Sequence, residues 1–82
     1  MRDEKLAGYM SAAEALLFVS DESVSCSKLA EMVGIPASEM DEVLTELAEE
    51  YRVEERGMQL REVAGGWRFF THPAHHDLIE RY

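Results

Sequence analysis

The stretch that decides the fold is IPASEMDEVLTELAEEYRVEER, residues 35–56. Met40, Val43, Leu44, Leu47, Ala48 and Tyr51 fall at i, i+3, i+4, i+7, i+8 and i+11, the spacing of a helix with one buried stripe. The opposite face is acidic. Between Ser38 and Glu55, the acids Glu39, Asp41, Glu42, Glu46, Glu49, Glu50, Glu54 and Glu55 stand against Arg52 alone, a net charge of −7. Two starts are open for this helix: Pro36 suits a first turn, and Ser38-x-x-Asp41 offers a capping box two residues later.

Upstream, a shorter helix is predicted from about Ser27 to Val33, with Ser25 or Ser27 as N-cap and Leu29, Met32 and Val33 pointing inward. Gly34 supplies its left-handed stop. Further back, Leu6, Tyr9, Met10, Ala13, Leu16 and Leu17 share one face of a helix over about Leu6–Val19. Asp3 and Glu4 suit its start, where negative charge meets the positive end of the helix dipole. Ala12, Ala15 and Phe18 lie partly off the stripe. This helix is therefore expected to bury more than one face as the central core helix, or to offer a partner an apolar strip. Val24 reads as a very short edge strand.

Downstream of Arg56-Gly57 the period changes. Met58, Leu60, Trp67, Phe69 and Thr71 read as two strands, with Gly65-Gly66 as a two-residue hairpin turn. That turn would pair Ala64 with Trp67, Glu62 with Phe69 and Leu60 with Thr71. One face then carries Leu60, Trp67 and Phe69, and the other Arg61, Val63, Arg68 and Phe70. Helix, tight turn, helix and hairpin together predict a winged helix-turn-helix: a mostly α fold with a small β-hairpin wing, one domain over residues 1–82. The chain then closes on a turn and the start of another helix, from His72 to Tyr82.

A winged helix-turn-helix places its third helix where DNA-binding relatives put the helix that enters the major groove. Here that helix would be repelled by phosphate. The whole chain of 82 residues carries a formal charge of −9, which disfavours nucleic acid and anionic membrane as partners and suits a basic one. At 46% hydrophobic and 30% charged residues it is an ordinary globular composition. Cys26 is the only cysteine, so no intrachain disulfide and no cysteine-based zinc site is available, and a reducing cytoplasm fits. The longest apolar run, ALLFV at residues 15–19, is too short to span a bilayer.

Chemistry is thin. His72, His75, His76 and Asp77 form the only cluster with metal-ligand character, but adjacent histidines point apart and no second ligand pair is evident, so no metal is expected. Gly65-Gly66 leads into a strand, not a helix N-terminus, so no phosphate-cradling motif and no cofactor are expected. No nucleophile, base and orienting group can be assembled around Cys26 or any hydroxyl. The chain reads as a non-enzyme.

The series SAAEALLFVSDESVS, KLAEMVGIP, EVLTELAEEY and GMQLREVAGGWRFFTHP resembles the first winged-helix domain of the segregation and condensation protein B family, over about Ser11–Tyr82. EALLFVS and QLREVAGGWRFFT are its most specific parts. The resemblance implies a non-enzymatic adaptor that dimerises and binds the kleisin subunit, segregation and condensation protein A, of a bacterial SMC complex. Through that subunit it would meet the SMC ATPase and serve chromosome condensation and segregation, in the cytoplasm at the nucleoid. The family has two tandem winged-helix domains, so an amino-terminal fragment lacking the second is expected. Trp67, Phe69 and Phe70, spread over both hairpin faces, are the candidate self-association residues, or else plain hairpin packing. On the first reading Trp67→Ala should lower the dimer fraction without unfolding the domain. The alternative function is a winged-helix transcription regulator that binds DNA through its wing, where Arg61 and Arg68 lie side by side.

Overall fold

The computed structural model describes residues 3–82. Three helices come first: α1 (Glu4–Val19), α2 (Cys26–Val33) and α3 (Ala37–Val53). The strands β1 (Met58–Val63) and β2 (Gly66–Thr71) follow, then a 3-10 turn at Pro73–His75 and a short α4 (His76–Arg81). This is the winged helix-turn-helix arrangement that the pattern predicts.

The helix boundaries follow from their caps. Asp3 accepts a hydrogen bond from the Lys5 N–H at 2.8 Å, so α1 starts two residues earlier than the apolar periodicity suggests. Ser25 is the N-cap of α2, its hydroxyl accepting from the Lys28 N–H at 3.1 Å. Gly34 ends that helix at φ 88° and ψ 34°, its N–H donating to the Ala30 carbonyl at 2.8 Å. Of the two starts for α3, the chain uses the proline. The Pro36 carbonyl accepts from the N–H groups of both Glu39 and Met40 at 3.0 Å, so the backbone is already helical at Ser38 and the capping box does not form.

The stripe on α3 is the centre of the core. Met40, Val43, Leu44 and Leu47 are all at most 3% exposed, and each such side chain contributes about 1.5–3 kcal/mol by leaving water. Against them pack Met10, Ala13 and Leu17 from α1, Leu29 and Ala30 from α2, and Leu60 and Trp67 from the hairpin. Only one face of α1 is buried, contrary to the two-faced expectation. Ala12 and Ala15 are exposed, and Phe18 is 76% exposed.

The hairpin corrects the predicted turn. Val63 pairs with Gly66, Glu62 with Trp67, Arg61 with Arg68 and Leu60 with Phe69, so the turn residues are Ala64 and Gly65. Both have positive φ, 53° and 79°, the signature of a type I′ turn. The pairing differs from the predicted one by two residues, Glu62 meeting Trp67 rather than Phe69 and Leu60 meeting Phe69 rather than Thr71. Because a slip of two preserves the alternation of side chains, every side chain keeps its predicted face. Val24 is the predicted edge bridge: its N–H donates to the Trp67 carbonyl at 2.9 Å and its carbonyl accepts from the Trp67 N–H at 2.7 Å.

That bridge explains Gly66. A Cβ at this position would lie 2.8 Å from the Ser23 Cβ and 3.3 Å from the Ser23 backbone carbon, so only glycine lets the segment before α2 lie against the hairpin. Gly66→Ala is expected to destabilise the domain by about 1–3 kcal/mol, seen as a lower midpoint in urea unfolding. The same substitution at solvent-exposed Gly8, which has nothing within 4 Å of its Cβ position, should be neutral to stabilising.

Candidate functional site

The structure separates the three hairpin aromatics. Trp67 is 7% exposed and belongs to the core, and its Nε1 is buried with no hydrogen-bond partner. Removing a core aromatic of this size costs about 3–5 kcal/mol, so Trp67→Ala is expected to unfold the domain, and its effect on association cannot be read separately. Phe69 is half-buried, its ring 5.1 Å from that of Tyr51. Phe70 occupies the opposite face, with the Arg61 guanidinium 5.0 Å and the Arg68 guanidinium 5.9 Å from its ring centre. The ring's negative π face offsets the repulsion between two arginines that sit directly across the ladder.

Phe69 is the inner edge of an exposed apolar surface. With Ala15, Phe18 and Met58 it lines a hollow of about 240 Å³, bounded by Glu14 and Tyr51. Phe18 also borders a neighbouring hollow with Leu17, Met58, Arg68 and Phe69. At 76% and 72% exposed, Phe18 and Val19 are large apolar side chains left in water. Sequence reasoning set Phe18 off the stripe of α1, the helix it offered as an alternative partner-facing strip, but did not name Met58. The signal was the unbroken ALLFV run, since no helix can turn five consecutive side chains to one buried face.

Beneath this surface, the Tyr51 hydroxyl donates to the Glu14 carboxylate and ties α3 to α1. Burial, followed by this bond and the negative charge of Glu14, pushes the tyrosine pKa up to about 12.

On α3 the acidic face is solvated. Glu39, Asp41, Glu42, Glu46 and Glu49 are exposed, and Arg52 donates through Nε to Glu49 at 2.9 Å as half of a bidentate pair that lowers the glutamate's pKa. Between this helix and β1 runs a groove of about 480 Å³, lined by Thr45, Ala48, Glu49 and Arg52 on one side and Gln59–Glu62 on the other, with Trp67.

The remaining candidate groups are Cys26 and the histidines. Cys26 donates through Sγ to the Ala37 carbonyl at 3.3 Å, and burial, then the charges of Asp41 and Glu62, raise its pKa and keep it a thiol. His72 accepts from the Ala74 N–H through Nδ1 at 3.0 Å and caps the 3-10 turn. His76, Asp77 and Glu80, rather than His72 and His75, bring ligand-type atoms within 4.8 Å of one another, all exposed on the six-residue α4. His76 Nε2 lies 2.9 Å from Glu80. Among the described residues no helix is long and apolar enough to cross a membrane.

Residues 11–82 match the family of the segregation and condensation complex subunit ScpB. The chain belongs to that family. It is 46% identical over 63 residues to segregation and condensation protein B of Moorella thermoacetica, covering 77% of this chain and 32% of that protein. The counterpart from Desulforamulus reducens is 39% identical over 71 residues, covering 87% and 39%. The chain thus spans about a third of the curated ScpB relatives it matches. Among solved structures, a dimer of the ScpB N-terminal domain complexed with ScpA peptide superposes with a TM-score of 0.88 at 33% identity, covering 94% of this chain and 96% of that one. ScpB from Mycobacterium tuberculosis superposes with a TM-score of 0.91 at 26% identity, covering 98% and 50%. The ScpB fold is therefore that of this chain over nearly its whole length.

The Tyr51–Glu14 link has a signed pH consequence. A phenol whose pKa is raised in the folded state stabilises fully below the unfolded value near 10 and loses that contribution as pH climbs towards about 12. Thermal melts of the native chain between pH 8 and 12 should fall more steeply than those of Tyr51→Phe. At neutral pH the variant should be less stable by about 1–2 kcal/mol.

Proposed function

We propose that this chain is a non-enzymatic, dimerising adaptor of a bacterial chromosome condensation and segregation complex. It corresponds to the first of two winged-helix domains, pairs with a second copy, and associates with the ScpA kleisin and through it with an SMC ATPase. Its place is the cytoplasm, at the nucleoid through that complex. The observation that carries this reading is the likeness, over 94% of this chain, to a domain solved as a dimer with ScpA peptide.

The charge distribution supports protein rather than DNA as partner. The helix that would enter the major groove, Ala37–Val53, carries six acids against Arg52, a net −5 that becomes −7 with Glu54 and Glu55 just beyond its end, and affinity for a duplex depends on neutralising phosphates. Against it the wing offers Arg61 and Arg68, both held over Phe70. Two guanidiniums on one hairpin are too few to offset that repulsion.

For the second copy, the surface around Phe18 is the one we assign, with Met58 and Phe69 at its border; Phe70, on the other face of the hairpin, lies outside it. The Phe18 surface joins α1 to the wing and lies away from the acidic face of α3, so two copies can meet there without opposing their −7 stretches. Phe18→Ser removes an exposed ring and leaves the core intact, so it should fold normally and weaken the dimer about tenfold or more in sedimentation equilibrium. An unchanged dimer would move the interface elsewhere. Fluorescence anisotropy of a labelled generic duplex at about 50 mM salt, where phosphate contacts are least screened, should show no binding at tens of micromolar protein. Tight, salt-sensitive binding would replace the adaptor reading with the regulator.

A further inference from the structure

The helix α4 is formed but unsupported. Leu78 and Ile79 lie four and three residues before Tyr82 and share a face with it, and all three side chains are exposed. Among the described residues, the one extensive packing of α4 is on the 3-10 turn that precedes it. A helix of six residues is far shorter than the roughly 12–15 that an isolated helix needs in water. Its apolar face therefore calls for a cover. The same chain does not supply one, since no α4 residue lines either hollow beside Phe18.

The connection to the wing holds that face off its own body. Pro73 fixes its own φ, the His72 N–H donates to the Gly57 carbonyl at 2.8 Å, and the His75 N–H donates to the His72 carbonyl at 3.0 Å. His72 also accepts from the Ala74 N–H. These bonds fix the direction in which α4 leaves. It departs from the end of the hairpin where Thr71 pairs with Met58, and Met58 lines both hollows. Two uncovered apolar surfaces thus issue from one end of the wing.

Size and charge select a second copy as the cover. A stable interface takes about 800 Å² and about 20–30 residues from each partner, whereas the hollow of about 240 Å³ has six lining residues. In a twofold pair every contact is made twice, so an α4 seated in the partner's hollow enlarges both sides at once. The charges match as well. Glu14 stands at the rim of the hollow and Arg81 borders the apolar face of α4, and among the described residues neither has a salt bridge. The similar solved structure is a dimer of an ScpB N-terminal domain, 96% of it covered by this chain, so a unit of this size pairs in that protein.

We propose that α4 is an exchanged arm: the face formed by Leu78, Ile79 and Tyr82 seats in the hollow beside Phe18 of a second copy, Arg81 meets that copy's Glu14, and the same contact is made in return. The inference deepens the dimerising reading and rests on it. Its first test is sedimentation equilibrium of the 82-residue chain and of Leu78→Ser/Ile79→Ser, which alters only exposed side chains and should keep the native midpoint in urea. That variant should dimerise about tenfold or more weakly. Cross-linking locates the seat. With Cys26, the only cysteine, changed by Cys26→Ser, chains carrying Ala15→Cys at the hollow are mixed with chains carrying Ile79→Cys and mildly oxidised. The mixture should form more disulfide-linked dimer than either chain alone. A native dimer that the serine variant leaves unchanged, or a mixture with no such excess, would overturn the seating of α4 and leave the dimerising reading standing. Preferential joining of Ile79→Cys chains to one another would pair α4 with α4 and overturn it too. A native chain that stays monomeric would overturn the dimerising reading and this inference together.

Discussion

Everything in this domain leans on the apolar stripe of α3. Met40, Val43, Leu44 and Leu47 meet residues from α1, α2 and the hairpin. The constraint this creates is one of surface area. A chain of 82 residues buries only about 60–65% of what it exposes when unfolded, so one helix must serve as the common wall for the others. Its remaining face is then free of packing duty and can carry charge.

That division of labour separates fold from function. The stripe makes a winged helix, while the carboxylates on the other side work against the affinity for phosphate that the architecture suggests elsewhere. With nucleic acid disfavoured, what the surface offers is suited to protein: an exposed ring at the end of α1 and a wing with two arginines across one phenylalanine.

Much of the fold was legible because it depends on periodicity. The α3 stripe, the Gly34 stop and the side-chain faces of the wing all follow from spacing in the sequence, and the faces survived even where the turn was misplaced. The turn itself was not legible. Gly65-Gly66 looks like the tight pair, yet Gly66 is small because Ser23 crowds it, and Ala64 takes the strained left-handed position in its stead. A contact from a distant segment outweighed local turn chemistry. The candidate site was legible only in part. Trp67, Phe69 and Phe70 were visible as aromatics on both faces of a hairpin, but which ring is core, edge or arginine platform depends on α3 and Tyr51, whose approach no hairpin sequence encodes.

The short α4 stands apart from this cooperative unit. None of its residues is buried, and Leu78, Ile79 and Tyr82 are 59%, 46% and 109% exposed. Opening it therefore removes little from the core, and its backbone should behave as a local fluctuation rather than as part of global unfolding. In free energy it is nearly decoupled from the stripe that organises the rest: a substitution that loosens Leu44 would be felt across α1, α2 and the wing, and hardly at all in the last turn of the chain.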